Sequence, residues 1–254
     1  MTALLLDAET VNWSGSKRQD ADLRSMLVTT DRIIYSGLLG TPSCRIFGAT
    51  VVYLAHSLPF AISINGGLSE SAWMAIIPPN NPHTISSEDR LIKDILLEPE
   101  STPRCAIEEI GSRLETHPSQ RYQEIRSAFG RWLSDGESVG TSIGEIDQFF
   151  FGHHFENRHV DSRIAHAVAQ IRQNPCEQFF ASECARLTGL SFSRFVHLFK
   201  EEIGMTFRSF CAWKRARSVL PSMTADCRIL ARVPGTRILS DRTSVRDSVS
   251  LIDF

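Results

Sequence analysis

Between Gly189 and Phe210 the chain reads GLSFSRFVHLFKEEIGMTFRSF, and this stretch restricts the fold more tightly than any other. A turn glycine, a serine suited to capping and a second glycine define one short helix with sharp ends. Upstream, Asp161 is placed to cap a helix through RIAHAVAQIRQN, where Ile164, Val168 and Ile171 form an apolar stripe that Pro175 closes. Ser182 can cap a second helix ending near Leu187, in which Ala185 is small enough for another helix to cross closely. Ser191 then caps the third helix. Its Phe195, Leu198, Phe199 and Ile203 recur at core spacing, with Phe192, Ser193, Val196, His197 and Lys200 on the opposite face. Thr206 caps a fourth helix through Phe207, Phe210 and Trp213 toward Leu220. The order is that of a helix-turn-helix unit with supporting helices, a geometry that places one helix in the DNA major groove. The alternative is a helical hairpin whose glycine only ends a helix.

Over positions 163–220 these same residues resemble the first helix-turn-helix of the AraC/XylS family of bacterial transcription regulators. The resemblance rests on CARLTGLS, on SRFVHLFKEEIG, and on FRSF followed by WKRAR. It implies double-stranded DNA as the partner and base readout by Ser193, Val196 and His197. His197 can donate to guanine or accept from an amino group, Ser193 hydrogen-bonds either way, and Val196 suits a thymine methyl. Arg194, Lys200 and Arg208 fall nearer the phosphates, and Lys214, Arg215 and Arg217 form a cluster that is phosphate-contacting or solvated. Phe192 departs from the polar residue common at its place. Charge agrees: residues 163–220 hold nine Lys/Arg against four Asp/Glu, whereas the preceding segment has a net charge of −8. A basic segment on an acidic chain is the footprint of a polyanion-binding surface.

The preceding residues have a different texture. IFGATVVYLAHS, PFAISIN, AWMAIIPPN and RLIKDILLEP are short runs rich in Ile, Val and aromatics, and Asn65-Gly66-Gly67 marks a turn between two of them. Such strands suggest a small β-barrel or sandwich. IPPNNPHTI, Ile77 to Ile85, is similar to a turn of the cupin-like sensor domain that precedes the reader in many members of the same family. Metal-binding cupins pair two histidines one residue apart; here His56 and His83 stand alone. No metal, cofactor or catalytic residue is therefore expected, and the chain is read as a non-enzyme. A barrel interior is still suited to a small organic effector, with Phe60, Trp73, Met74 and His83 as pocket candidates.

PSQRYQEIRSAFGRWLSD, Pro118 to Asp135, has Tyr122, Ile125, Phe129 and Trp132 at helical spacing. That stripe either forms a homodimer interface, as the family resemblance implies, or packs on its own barrel. SDGESVGTSIG is a linker by composition, and His153, His154 and His159 after it read as interdomain packing rather than a zinc site. The six cysteines form no CxxC pair and read as reduced thiols. MTALLLDAET lacks a basic signal region, and no apolar run reaches the ~20 residues of a membrane span, so a cytoplasmic protein without membrane partners is expected.

The expected fold class is α+β: a cupin-like sensing and dimerisation domain over 1–135, a linker over 136–160, an all-α reader over 161–220 and a disordered tail over 221–254. The family's second helix-turn-helix unit is not legible in that tail. Its Arg, Ser and Asp are scattered without period around Pro234-Gly235, the pattern expected if the reading frame were lost near Met223. Two functions follow: a sequence-specific regulator answering to an effector, or an effector-binding, dimerising protein that no longer binds DNA productively.

Overall fold

The computed structural model describes residues 10–11, 25–134, 139–140, 142–156 and 158–220. The tail 221–254, for which disorder and a lost reading frame were expected, lies outside the described residues. The architecture is α+β. Eleven strands come first: β1 (Thr10–Val11), β2 (Ser25–Val28), β3 (Arg32–Leu38), β4 (Cys44–Arg45), β5 (Thr50–Ala55), β6 (Phe60–Ile64), β7 (Glu70–Ala72), β8 (Met74–Ile77), β9 (His83–Ser86), β10 (Leu91–Leu97) and, after helix α1 (Arg104–Ile110), β11 (Leu114–Glu115). Helices α2 (Gln120–Ser134) and α3 (Ile143–Phe151) complete this half. The second half is all helix: α4 (Ser162–Gln173), α5 (Ala181–Leu187), α6 (Phe192–Ile203) and α7 (Phe207–Ser218).

The strands form an antiparallel sandwich. One sheet runs β1-β2-β3-β10-β5-β8-β11 and the other β4-β9-β6-β7. Strand β10 is the spine of the larger sheet, pairing Ile95 with Ile34 of β3 on one side and with Val52 of β5 on the other. All six residues of β5 are buried, as a strand requires when both of its faces are covered. The smaller sheet covers one face, and α2 reaches the other side through Tyr122, whose hydroxyl donates to the Ala55 carbonyl at 3.2 Å. The turn Asn65-Gly66 takes positive φ at both residues (54° and 70°), as a tight hairpin turn demands.

The stripe of α2 packs inside its own domain. Tyr122, Ile125, Phe129 and Trp132 are buried, and Phe129 lies 5.1 Å from Phe150 of α3 between ring centroids. Of the two alternatives left open for this stripe, these rings follow the second, packing on their own domain rather than forming the helix–helix interface that the family resemblance implies. The segment 136–160 expected as a linker contains α3, started by a reciprocal capping box between Ser142 and Glu145. One buried ion pair fastens α3 down. The Arg32 guanidinium donates from Nε and Nη2 to the two oxygens of Asp147, both at 2.8 Å, and neither side chain is more than 2% exposed.

In the helical half, Asp161, Ser191 and Thr206 each accept a hydrogen bond from a first-turn amide, as their sequence positions foretell. Gly189 and Gly204 are left-handed, with φ of 67° and 87°. The second helix differs from expectation. It starts at Ala181, the carbonyl of Phe180 accepts from the Glu183 and Cys184 amides, and Ser182 lies inside the helix instead of capping it. Phe195, Phe199, Phe207 and Phe210 fill the core, with centroid separations from 5.3 to 5.9 Å. Trp213 and Leu220, near the end of the described chain, leave this core and join that of the sandwich.

The Arg32–Asp147 pair gives a stability test. Arg32→Met or Asp147→Asn strands the other partner in a dry site, so each should cost ~3–5 kcal/mol. A melting temperature lowered by roughly 10 °C in thermal unfolding is the expected outcome. A loss below ~1 kcal/mol would show that the stranded group finds other partners, and that α3 is held by its phenylalanines.

Candidate nucleic-acid interface

Helix α6 is amphipathic in a way that separates support from display. Phe195, Leu198, Phe199 and Ile203 are buried against α4, α5 and α7, while Ser193, Arg194, His197 and Lys200 are exposed on the opposite side. Ser193, His197 and Lys200 stand at successive intervals of four and three, one line along the outer face. Val196 is half-buried and packs partly against the helical core, so only an edge of it is available to a ligand. Phe192, the first residue of the helix, is 58% exposed. At this end Ser191 accepts from the Arg194 amide, and the first-turn amides, with the positive end of the helix dipole, face outward where a phosphate can approach.

The basic residues divide into two sets. Arg194, Lys200, Arg208 and Arg215 are exposed, as is Arg186 on α5. Lys214 is not. It is only 5% exposed, and its ammonium donates to the Glu98 carboxylate and makes an ion pair with that of Glu100 in the sandwich half. The phosphate-contacting role expected for Lys214 is thus corrected: two buried carboxylates already hold its charge. Arg217 pairs with Glu98 at 2.6 Å and Arg172 with Asp31 at 3.1 Å, so three of the basic residues face the protein's own acids. Arg163 pairs with Asp161, whose carboxyl is drawn down to about 2, first by that side chain and then by the Arg163 amide. Besides Arg163, the cations left exposed among these residues are Arg186, Arg194, Lys200, Arg208 and Arg215. The sequence carried a signal of this pairing in Glu98 and Glu100, acids set directly after the apolar run of β10.

The four effector-pocket candidates do not converge. Phe60 and His83 do meet, around Tyr53, with centroid separations of 6.2 and 5.5 Å from its ring. His83 Nδ1 lies 2.9 Å from the Asn81 carbonyl, which can only accept, so that nitrogen carries the proton. Nε2 then accepts from the Tyr53 hydroxyl at 2.9 Å. Trp73 instead packs on Tyr122 of α2 at 5.7 Å. Register accounts for Met74: Tyr53 stands opposite Ala75, and Met74 opposite Leu54, which places Met74 on the other face of the sheet. Beside the Tyr53 centre lies a feature that sequence reasoning missed. Arg45 is 1% exposed, its Nε and Nη2 have no hydrogen-bond partner, and it pairs with His83 across β4 and β9. Asp94, opposite Tyr53 on β10, is 5% exposed; burial pushes its carboxyl up to about 7, with Arg45 pulling the other way.

A cleft of about 540 Å³ lies between the halves, lined by Glu100, Arg158, His159, Val168 and Arg172 among others. His153 bonds Glu109 and the Phe151 carbonyl, and its ring packs on Phe155. Among the described residues no three His, Cys, Asp or Glu side chains group as metal ligands, and no helix is long and apolar enough to cross a membrane.

No family model matches the chain, and no curated protein matches it. Solved structures do. Apo ToxT K231A from Vibrio cholerae superposes with a TM-score of 0.51 at 9% identity, covering 76% of this chain and 83% of that one. This shows a shared fold across both halves. ToxT from V. cholerae O395 gives 0.47 at 10% identity, over 76% of this chain and 81% of its own. A cupin family protein with a double-stranded β-helix from Methanocaldococcus jannaschii gives 0.26 at 12%, over 34% of this chain and 90% of its own.

Asp94 gives a prediction with a definite sign. A folded-state value near 7 lies above the ordinary carboxyl value of 3.8, so between them the folded chain binds more protons than the unfolded one. Stability should therefore fall as pH rises from 4 to 7, with a slope of at most ~1.4 kcal/mol per pH unit. Asp94→Asn should flatten that slope in chemical denaturation at several pH values. An unchanged slope would mean that Arg45 already holds Asp94 ionised.

Proposed function

We propose that the chain is a cytoplasmic transcription regulator of the AraC/XylS type, a binding protein rather than an enzyme. Its helical half reads DNA, and its cupin-like half senses a small molecule. The observation that carries this reading is the outer face of α6. There Ser193, Arg194, His197 and Lys200 stand exposed on a capped helix held from behind by four packed phenylalanines. A helix so mounted enters a major groove with its first turns toward the base edges. Ser193 and His197 supply the hydrogen-bonding choice there, with Val196 adding an apolar edge. Arg194, Lys200, Arg208 and Arg215 supply salt-dependent attraction to the phosphates.

The effector site is assigned to the Tyr53 centre, without Trp73 and Met74, because Phe60 and His83 meet there beside Arg45, whose Nε and Nη2 lack a hydrogen-bond partner. A competing reading, in which the chain binds an effector but no longer reads DNA productively, draws on the ion pairs that occupy Arg172, Lys214 and Arg217.

Selection of random duplexes by the purified chain separates the two. The regulator reading expects a short enriched motif that His197→Ala relaxes at one base, a loss of ~1–3 kcal/mol of discrimination. Lys200→Ala should leave the motif intact and reduce the slope of log affinity against log salt by ~0.9. Salt-sensitive binding without any motif would favour the competing reading.

A further inference from the structure

The contact between the two halves is built like a catch. On the sandwich side, Glu98 is wholly buried and Glu100 nearly so, at the end of β10. On the helical side, three neighbours on α7 meet them. The Trp213 indole donates to Glu98 at 3.0 Å, Lys214 donates to Glu98 and forms an ion pair with Glu100, and Arg217 pairs with Glu98 while donating to the Thr29 carbonyl. Arg158 fixes the far end of α6, donating to the carbonyls of Pro99 and Thr102 on one side and of Glu202 on the other.

Shape reinforces charge. The Trp213 ring lies so close over Gly48 that a Cβ added there would overlap it. Phe47 then touches Trp213 edge-on at 6.1 Å and His83 at 5.8 Å. An unbroken series of rings, Trp213, Phe47, His83, Tyr53 and Phe60, thus runs from α7 into the centre of the sandwich. Helix α6 follows α7, because Phe199 packs on both Phe207 and Phe210.

We propose that Trp213, Lys214 and Arg217 are positioning residues forming an interdomain latch: closed on Gly48, Glu98 and Glu100, it fixes the orientation of the reading helix and links it to the sandwich interior. The latch is a property of the two halves; its bearing on DNA rests on the regulator reading above. The exposed face of α6 is free when the latch is closed, so these residues hold the reader in place without covering it.

Amide hydrogen exchange on the full chain tests this. Lys214→Met removes the shared cation, Gly48→Ala wedges the ring from the opposite side without touching a charge, and Lys214→Arg keeps the cation. In the first two variants the amides of Glu98, Ser101 and Trp213–Leu220 should exchange together, about a hundredfold faster or more, while Phe195–Ile203 and β5 keep their protection. Lys214→Arg should stay within about tenfold of the parent chain, since a charge is retained at the site. Three results would overturn the latch. One is faster exchange on α7 alone. Another is no change in Gly48→Ala. The third is loss of protection everywhere at once, which would make the contact part of a single cooperative core.

Binding to a selected duplex adds a separate readout. Lys214→Met should leave the salt slope unchanged; a slope reduced by ~0.9 would make Lys214 a phosphate contact and end the proposal. Exchange as expected, with no duplex bound by any variant, would leave the latch standing and remove the regulator reading.

Discussion

Glu98 sits fully out of water, and a carboxylate stays charged there only if other groups replace its lost hydration. Burial pushes its carboxyl up, but Lys214 and Arg217 outweigh that and hold it below its ordinary value. Glu100 shares the same ammonium. For it burial wins, with the nearby charge of Glu98 adding to the upward push against Lys214. Two acids and two bases therefore make one unit that neither half can complete alone. Removing Glu98 or Lys214 leaves a partner's charge short of its counter-charge in a dry site, so leaving this unit half-made is costly.

That arrangement changes how the basic segment should be regarded. A local excess of cations invites the inference that all of them face a polyanion. The structure divides them by position on the helices: cations on the outward sides of α5, α6 and α7 remain exposed, and those on the inward side of α7 and at the end of α4 meet Glu98, Glu100 and Asp31. Part of the negative charge of the first half and part of the positive charge of the second are thus one set of ion pairs. Net charge along a sequence reports the sum of these two uses and cannot apportion them.

What the sequence made legible was local. Asp161, Ser191, Thr206, Gly189 and Gly204 announce themselves because a cap or a left-handed turn is decided within four residues of chain. The stripes of α2 and α6 were equally readable as stripes. Their partners were not: α2's rings belong to α3 and the sandwich, since periodicity gives a buried face without saying what buries it. Met74 shows the same limit on a strand. Its place in the apolar run was plain, but its side of the sheet depended on a pairing with Leu54, twenty residues away. Arg32 with Asp147 and Glu98 with Lys214 lie 115 and 116 residues apart, and nothing short of the folded chain brings them into one view.

If α6 reads DNA as proposed, it is one helix among the described residues and its contacts carry little affinity, so the rigidity of its mounting matters. On that reading Ser193 and His197 would discriminate only if they arrived at the base edges in one orientation, since each freedom left to the helix must be surrendered on binding. The phenylalanine core fixes α6 to α7, and Trp213 fixes α7 to Gly48 and Phe47. Two packed layers thus separate the outer face of α6 from the Tyr53 centre, and neither is made of flexible side chains. A displacement of His83 would meet Phe47 directly and Trp213 next, where Glu98 holds the indole nitrogen. Whether the helix reads well or badly would then be decided at that nitrogen, by whether its hydrogen bond survives the displacement.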